Sequence, residues 1–147
     1  MGSLKKPGSL LCLVSKAHHH LSSQIFNQMG LYRGQPPVLF ELGSHEGIPQ
    51  AELSDILEVT AATMTNMLRR MEAAGLVRRV RDAADARVSR VYLTEAGKSA
   101  LAAANQLTER IDEIAFAGLT SGELVTLTNL LDRVHTNLTA EKASSSS

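Results

Sequence analysis

The fold is decided by residues 49–94, which read PQAELSDILEVTAATMTNMLRRMEAAGLVRRVRDAADARVSRVYLT. Apolar residues at helical spacing end at Leu57. Three residues later Thr60 offers a side-chain cap for a second helix, which is predicted to continue to Ala74. Gly75 stands where helices commonly end in a left-handed residue. The stretch therefore begins with a helix, a tight turn and a second helix.

The spacing of the apolar residues changes from helical to strand-like after Gly75. Val77–Arg81 and Val88–Leu93 alternate and are rich in β-branched residues, and the turn-forming stretch Asp82–Ala86 separates them. This pattern predicts a β-hairpin directly after the second helix.

Positive charge is concentrated in this same region. The chain as a whole has 15 basic and 15 acidic residues and therefore no net charge. Residues 69–90 contain seven arginines, no lysine and three acidic residues, which gives a local net charge of +4. The planar guanidinium group matches phosphate oxygens and guanine edges, so the cluster favours a nucleic-acid partner. An ordinary solvated charged face is the alternative.

The second helix has two different faces. Its apolar face is formed by Met64, Met67, Leu68 and Met71, and its opposite face by Ala62, Asn66, Arg69 and Ala73. The Asn66 amide can pair with adenine, and the Arg69 fork can bind guanine or a phosphate. Methyl groups of Ala62, Thr63 or Thr65 can contact thymine methyls. The alternative is a helix surface that only faces water.

Apolar residues at alternating spacings of three and four mark both ends of the chain. The first set is Leu11, Val14, Leu21 and Ile25, with His18 in the missing place, and the second is Leu124, Leu127, Leu131, Val134 and Leu138. Such narrow seams pair with another helix, so a homodimer is predicted. A capping box at Thr120–Glu123 opens the last helix. A short helix from Pro36 and a long one from its cap Thr94 to about Ala117 are also predicted.

Composition limits the remaining possibilities. The chain has 147 residues, 44% of them hydrophobic, which is typical of one soluble domain. The longest apolar run, Leu10–Val14, is too short for a membrane span or a signal-peptide core, so no membrane partner and a cytoplasmic location are expected. Cys12 is the single cysteine, so an internal disulfide is excluded.

Helix, turn, helix and basic hairpin together predict a mainly α fold with a small β-hairpin wing, the winged helix-turn-helix. At this point the sequence resembles the MarR (multiple-antibiotic-resistance regulator) family of bacterial transcription factors. The stretches that carry the resemblance are Gln35–Leu39, Gln50–Leu53, Ala62–Asn66, Met71–Val77, Asp82–Arg87 and Val91–Gly97. Two positions depart from the family pattern: Pro49 replaces a frequent Ser or Thr cap, and Glu58 replaces a common turn glycine.

The resemblance implies a homodimer in which each winged helix binds half of a palindrome in double-stranded DNA. It also implies that Arg87, at the wing tip, approaches the minor groove and that Asp85 positions it. The predicted DNA-binding residues are therefore Thr60, Ala62, Thr63, Thr65, Asn66, Arg69, Arg70, Arg79, Arg81, Asp85, Arg87 and Arg90. Asn66 and Arg69 are expected to give sequence preference, whereas Arg79 and Arg81 are expected to add affinity.

The expected organisation is a flexible segment 1–9, one domain 10–142 and a flexible tail 143–147. Residues 10–30 and 95–139 are the predicted dimerisation helices, and residues 36–94 the winged DNA-binding lobe. The predicted function is a ligand-responsive repressor. A small aromatic or anionic effector is expected between the dimer helices and the lobe, with His18, Tyr32 and Arg33 as its candidate contacts.

Two alternatives stay open. Cys12 could serve a thiol-based redox sensor, although its place in the first helix and the lack of a preceding tyrosine favour an inert, buried thiol. A helical dimerisation module without DNA contact would leave the arginine hairpin unexplained. An enzyme is not expected, because no nucleotide-binding, nucleophile or zinc-protease motif is present, and no cofactor is expected. Consecutive histidines His18–His20 point about 100° apart on a helix, so no metal site is expected from them.

Overall fold

The computed structural model describes residues 5–32 and 34–145. It contains a three-stranded antiparallel sheet among helices, which confirms the predicted fold class. The elements are α1 (Pro7–Gln28), α2 (Gln35–Ser44), β1 (Ile48–Pro49), α3 (Gln50–Ile56), α4 (Ala61–Ala73), β2 (Val77–Arg81), β3 (Ser89–Leu93), α5 (Glu95–Ala115) and α6 (Ser121–Ser145). The chain divides into two units, one up to Ile111 and one from Asp112 onward.

The core of the first unit lies between α2, α3, α4 and the sheet. Its fully buried side chains include Val38, Leu39, Leu42, Leu53, Met64, Leu68, Met71 and Val91. Burying one such side chain contributes about 1.5–3 kcal/mol. Because α4 supplies three of these residues from one face, its opposite face is left in solvent, as the sequence predicts.

Both ends of α4 are fixed by local hydrogen bonds. At the start, Thr60 Oγ1 accepts from the Thr63 N–H at 3.1 Å, which confirms the predicted cap. At the end, Gly75 has φ +76° and the Leu76 N–H donates back to the Met71 carbonyl at 2.9 Å, the Schellman arrangement. Glu58, in the turn before Thr60, has φ 55°, a value that favours the glycine common in the family.

The sheet has the order β1-β3-β2. The predicted hairpin is β2 and β3, paired from Val77↔Leu93 to Arg81↔Ser89. Strand β1 was not predicted, because two residues are too few to show the alternation of apolar and polar residues that marks a strand. They form a strand only because they pair with β3. Pro49 lies in this edge strand, where proline is tolerated.

Several predicted boundaries need correction. Helix α1 begins at Pro7, inside the segment 1–9 predicted to be flexible, because proline fits the first helical turn. Helix α6 continues to Ser145, past the predicted start of the tail at residue 143. Helix α5 ends at Ala115, two residues earlier than predicted, and the turn that follows contains Gly118 with φ +84°.

The caps predicted for the last two helices are present. Thr94 Oγ1 accepts from the Gly97 N–H at 3.0 Å. Thr120 and Glu123 exchange hydrogen bonds of 2.9 and 3.1 Å, and the first of these, from the Thr120 N–H to the Glu123 carboxyl, is the main cause that lowers the pKa of that carboxyl. None of the described helices is long and apolar enough to cross a membrane.

Candidate nucleic-acid interface

The outer face of α4 presents the residues expected to contact bases. Ala62, Thr63, Asn66, Arg69 and Arg70 are all exposed on it. Arg69 Nη1 donates to Asn66 Oδ1 at 3.3 Å, so these two side chains are neighbours on the helix surface. Small residues surround them at the start of the helix, which allows a close approach to a groove.

Two threonines of the predicted set make hydrogen bonds within the protein instead. Thr65 is half-buried, and its Oγ1 accepts from Gln50 Nε2 of α3 at 3.0 Å. Thr60 Oγ1 caps α4 and also donates to Thr63 Oγ1 at 2.9 Å. The bond of Thr65 was not predicted because a helix face gives no information on partners from a neighbouring helix, whereas the cap at Thr60 was predicted together with its assignment to DNA.

Arg79 lies on the core side of the sheet rather than on its open side. Its side chain is 27% exposed, and its Nε donates to Glu72 Oε1 of α4 at 2.5 Å. This ion pair ties β2 to α4. The expected role of Arg79 in phosphate binding is therefore not favoured, because its guanidinium group is mostly covered by the protein and pairs there with Glu72.

The wing tip carries a two-bonded ion pair between Asp85 and Arg87. Arg87 donates from Nε to Oδ1 at 3.1 Å and from Nη2 to Oδ2 at 3.2 Å. The Arg87 side chain is nevertheless 91% exposed, so it projects from the protein in a fixed direction. This hydrogen bonding by Arg87 lowers the pKa of the Asp85 carboxyl. Arg81, also exposed, donates from Nη1 to the Ala86 carbonyl at 3.0 Å and braces the same turn.

Arg90 is placed at the base of the wing rather than at its surface. Its Nε donates to Asp82 Oδ1 at 2.7 Å, and its Nη1 donates to the Gly47 carbonyl at 2.9 Å. The hydrogen bond from Arg90 is the main cause that lowers the pKa of the Asp82 carboxyl. Both acceptors belong to the protein, one half-buried and one buried, so Arg90 supports the wing in this structure.

Sequence reasoning missed Asp82 and Arg78. Asp82 Oδ2 accepts from the N–H groups of Ala84 and Asp85, both at 3.0 Å, a turn contact that aspartate commonly makes and that its position before the turn could have indicated. The Arg78 guanidinium group lies 4.5 Å from the centre of the Tyr92 ring. That contact depends on strand register, which places Arg78 opposite Tyr92.

Among the described residues, no hydrogen bond or ion pair joins His18 to Tyr32, two of the predicted effector contacts. His18 is exposed on α1, and Tyr32 is exposed with its N–H donating to Gln35 Oε1 at 3.2 Å. Arg33 lies outside the described residues. A groove of about 340 Å³ between α1 and α5 is lined instead by Ile25, Gln28, Met29, Ala103, Gln106 and Leu107. Cys12 is exposed on α1, not buried as expected.

The exposed recognition helix α4 and the ion-paired wing beside it define a winged helix-turn-helix protein. A family model described as MarR family matches residues 29–88. The transcriptional regulator HosA from Escherichia coli is 38% identical over 122 residues, which cover 77% of this chain and 89% of HosA.

Solved structures show the same likeness. A MarR transcriptional regulator from Methanosarcina mazei Go1 is 28% identical with a TM-score of 0.79, covering 88% of this chain and 94% of that one. A cysteine-to-serine mutant of MarR from E. coli, complexed with operator DNA, is 27% identical with a TM-score of 0.75, covering 86% and 91%. The chain belongs to the MarR family of DNA-binding transcriptional regulators.

Proposed function

We propose that this regulator is a homodimeric repressor that binds a palindromic operator and releases it when a small effector binds. The observation that carries the DNA-binding part is the surface formed by Asn66 and Arg69 on α4 beside the exposed Arg87 of the wing. One polar helix face for base edges and one cation for a groove or phosphate are the two contacts that a winged helix makes. The likeness to MarR in complex with operator DNA supports this assignment.

Exposed apolar side chains on the terminal helices support a dimer. Helix α1 exposes Leu10, Leu11, Leu13 and Val14, and α6 exposes Val125, Leu130, Leu131, Val134 and Leu138. None of the residues of α6 is buried in the single chain. Exposed apolar surface of this extent marks a contact with another molecule, and the spacing of its residues fits a second helix. A symmetric dimer binds a palindrome because its two recognition helices are related by a two-fold axis.

A regulator of transcription acts where the chromosome is, so a cytoplasmic location is part of this proposal. No step in it needs a catalytic residue. The proposal assigns Asn66 and Arg69 to sequence preference, and Arg87, Arg81 and Arg70 to affinity.

The assignment is tested first by recovering bound fragments from genomic DNA and identifying the shared palindrome. Asn66→Ala is then expected to weaken binding to a duplex with that palindrome by about 1–3 kcal/mol and to leave binding to a random duplex unchanged. Fluorescence anisotropy on both duplexes measures this. Asn105→Ala, which removes an exposed amide from α5, is the matched control. Equal losses on both duplexes would show that Asn66 does not select sequence.

For regulation, we propose an aromatic or anionic effector between the dimer helices and the winged lobe, near His18, Tyr32 and Arg33. Two recognition helices must lie about 34–36 Å apart, or a multiple of this, to enter successive major-groove turns. An effector that prefers another spacing weakens DNA binding by the same factor by which DNA weakens effector binding.

Salicylate-like acids are therefore expected to raise the melting temperature of the free protein and to lower its affinity for the recovered duplex. His18→Phe is expected to reduce both effects. His19→Phe is the control and is expected to leave both effects unchanged, because the side chain at position 19 lies about 100° around α1 from that at position 18. Differential scanning fluorimetry measures the melting temperature, and fluorescence anisotropy measures the affinity for the recovered duplex. If no compound of this class changes either one, the sensing part of the proposal is lost and the DNA-binding part is unaffected.

A further inference from the structure

A continuous set of hydrogen bonds connects the loop before β1 to the wing tip. It begins at the Gly47 carbonyl, which accepts from Arg90 Nη1 at 2.9 Å, and continues through Arg90 Nε to Asp82 Oδ1 at 2.7 Å. The second oxygen of Asp82 accepts from the N–H groups of Ala84 and Asp85. Asp85 in turn accepts two hydrogen bonds from the Arg87 guanidinium group and one from the Arg87 N–H.

Each hydrogen bond in this set holds a different part of the wing in place. The backbone closes the wing through the Asp82 N–H donating to Val88 at 2.8 Å and the Val88 N–H donating to Asp85 at 2.9 Å. Asp82 then holds the amides inside the turn, and Arg90 links Asp82 to the carbonyl of Gly47, which lies in the loop before β1, 43 residues before Arg90. Neither side chain of this pair is fully exposed: Arg90 is 38% and Asp82 20% accessible.

A direct phosphate contact does not explain this geometry of Arg90. Arg87 is 91% exposed although it pairs with Asp85, so it can still meet a phosphate, whereas Arg90 is 38% exposed and two of its donors are directed at acceptors of the protein. Asp82 is even less suited to contact DNA, since a carboxylate repels phosphate. The pair is instead suited to hold the wing in place, because a charge-assisted hydrogen bond joins the two side chains and each of them is also hydrogen-bonded to the backbone.

We propose that Asp82 and Arg90 are positioning residues that set the direction in which Arg87 meets DNA. The proposal rests on the proposed function at one point, the contact of Arg87 with the DNA. It also assigns Arg90 a role different from that of a phosphate ligand, and it gives Asp82 a role in DNA affinity although this residue is an anion.

The sign of the effect of Asp82→Asn distinguishes this role from simple electrostatics. Removing a negative charge from a DNA-binding wing raises affinity if charge alone matters. If Asp82 positions Arg87, the same change lowers affinity for the recovered palindrome duplex by about three- to tenfold, part of the loss expected when Arg87 itself is removed. Asp55→Asn, an exposed carboxylate of α3, is the charge-matched control and is expected not to lower affinity.

Arg90→Lys provides a second variant with the charge retained. A lysine ammonium group lacks the planar fork that reaches Asp82 and Gly47 together, so this variant is expected to lose affinity as Asp82→Asn does. Unchanged affinity in Arg90→Lys would indicate a plain phosphate contact and would overturn the proposal.

A double-mutant cycle with Arg87→Ala separates positioning from every other cause. If Asp82 acts through Arg87, Asp82→Asn is expected to cost little affinity once Arg87 is absent. A loss of the same size with and without Arg87, whether from misfolding or from a separate contact, overturns the proposal. If instead Arg87→Ala itself has no effect on binding, the DNA contact in the proposed function is wrong.

Amide hydrogen exchange of the full-length protein without DNA tests independently whether Asp82 and Arg90 hold the turn of the wing in place. The amides of Ala84 and Asp85 are expected to exchange faster in Asp82→Asn and Arg90→Lys, while those in α4 stay unchanged. Unchanged exchange of the two wing amides in both variants would overturn the proposal even if DNA binding weakened.

Discussion

Gly97→Ala is expected to destabilise the protein by about 3 kcal/mol, although this glycine lies in the first turn of a helix. Alanine usually stabilises a helix relative to glycine by about 0.5–1 kcal/mol. Here a Cβ atom at position 97 would lie 2.0 Å from the Leu76 carbonyl oxygen and 3.2 Å from Leu93 Cδ2. The nearest neighbour is backbone, so no side-chain rotation can relieve the overlap.

The backbone near Gly97 is also held in place. The Thr94 N–H donates to the Leu76 carbonyl at 3.1 Å, and Thr94 Oγ1 donates to the Gly75 carbonyl at 2.5 Å. Moving α5 away from Leu76 would stretch both bonds at the turn that ends the recognition helix. For a domain of this size, a loss of about 3 kcal/mol lowers the melting temperature by about 6–12 °C.

Gly122→Ala is the matched control for this prediction. Gly122 lies in the first turn of α6, also after a capping threonine, and a Cβ there would meet only Thr120 Oγ1, at 4.0 Å. This variant is expected to melt at or slightly above the wild-type temperature. Should Gly97→Ala melt like Gly122→Ala, the close approach of α5 to Leu76 is not present in solution.

The parts of the fold that the sequence predicts well are those fixed by local interactions. The recognition helix is marked at one end by Thr60 and at the other by Gly75, and each mark corresponds to a hydrogen bond within a few residues. The same holds for the caps at Thr94 and Thr120. A cap is predictable because its donor and acceptor are close in sequence.

Residue type alone could not separate the roles of the arginines. Arg79, Arg87 and Arg90 are chemically identical, but their partners differ: Glu72 on α4, Asp85 in the wing, and Asp82 together with Gly47. Of these partners, only Asp85 lies within a few residues of its arginine in the sequence. Arg87 is accordingly the only one of the three arginines whose partner and position at the wing tip were both predicted. Strand β1 escaped prediction for a related reason, since its pairing with Val91 and Arg90 spans more than 40 residues.

Leu131→Glu is expected to convert the proposed dimer into a monomer. Leu131 lies at the middle of the apolar seam of α6 and is 43% exposed in the single chain. A carboxylate at the centre of a helix pair would lose its hydration without gaining a partner, at a cost of several kcal/mol. Asn129→Glu adds the same charge about 200° around the helix and is therefore the control.

Loss of the dimer is expected to affect DNA binding more than any single contact does. When two half-sites are bound by linked recognition helices, the second binding step is intramolecular and raises affinity about 10²–10⁴-fold. Leu131→Glu should therefore bind the full palindrome no better than a duplex with one half-site, while Asn129→Glu keeps the preference for two. Sedimentation equilibrium measures the mass of each variant, and fluorescence anisotropy measures its affinity for the full palindrome and for the duplex with one half-site. A dimeric Leu131→Glu would remove α6 from the interface, whereas a monomer with full affinity would show that each winged helix binds alone.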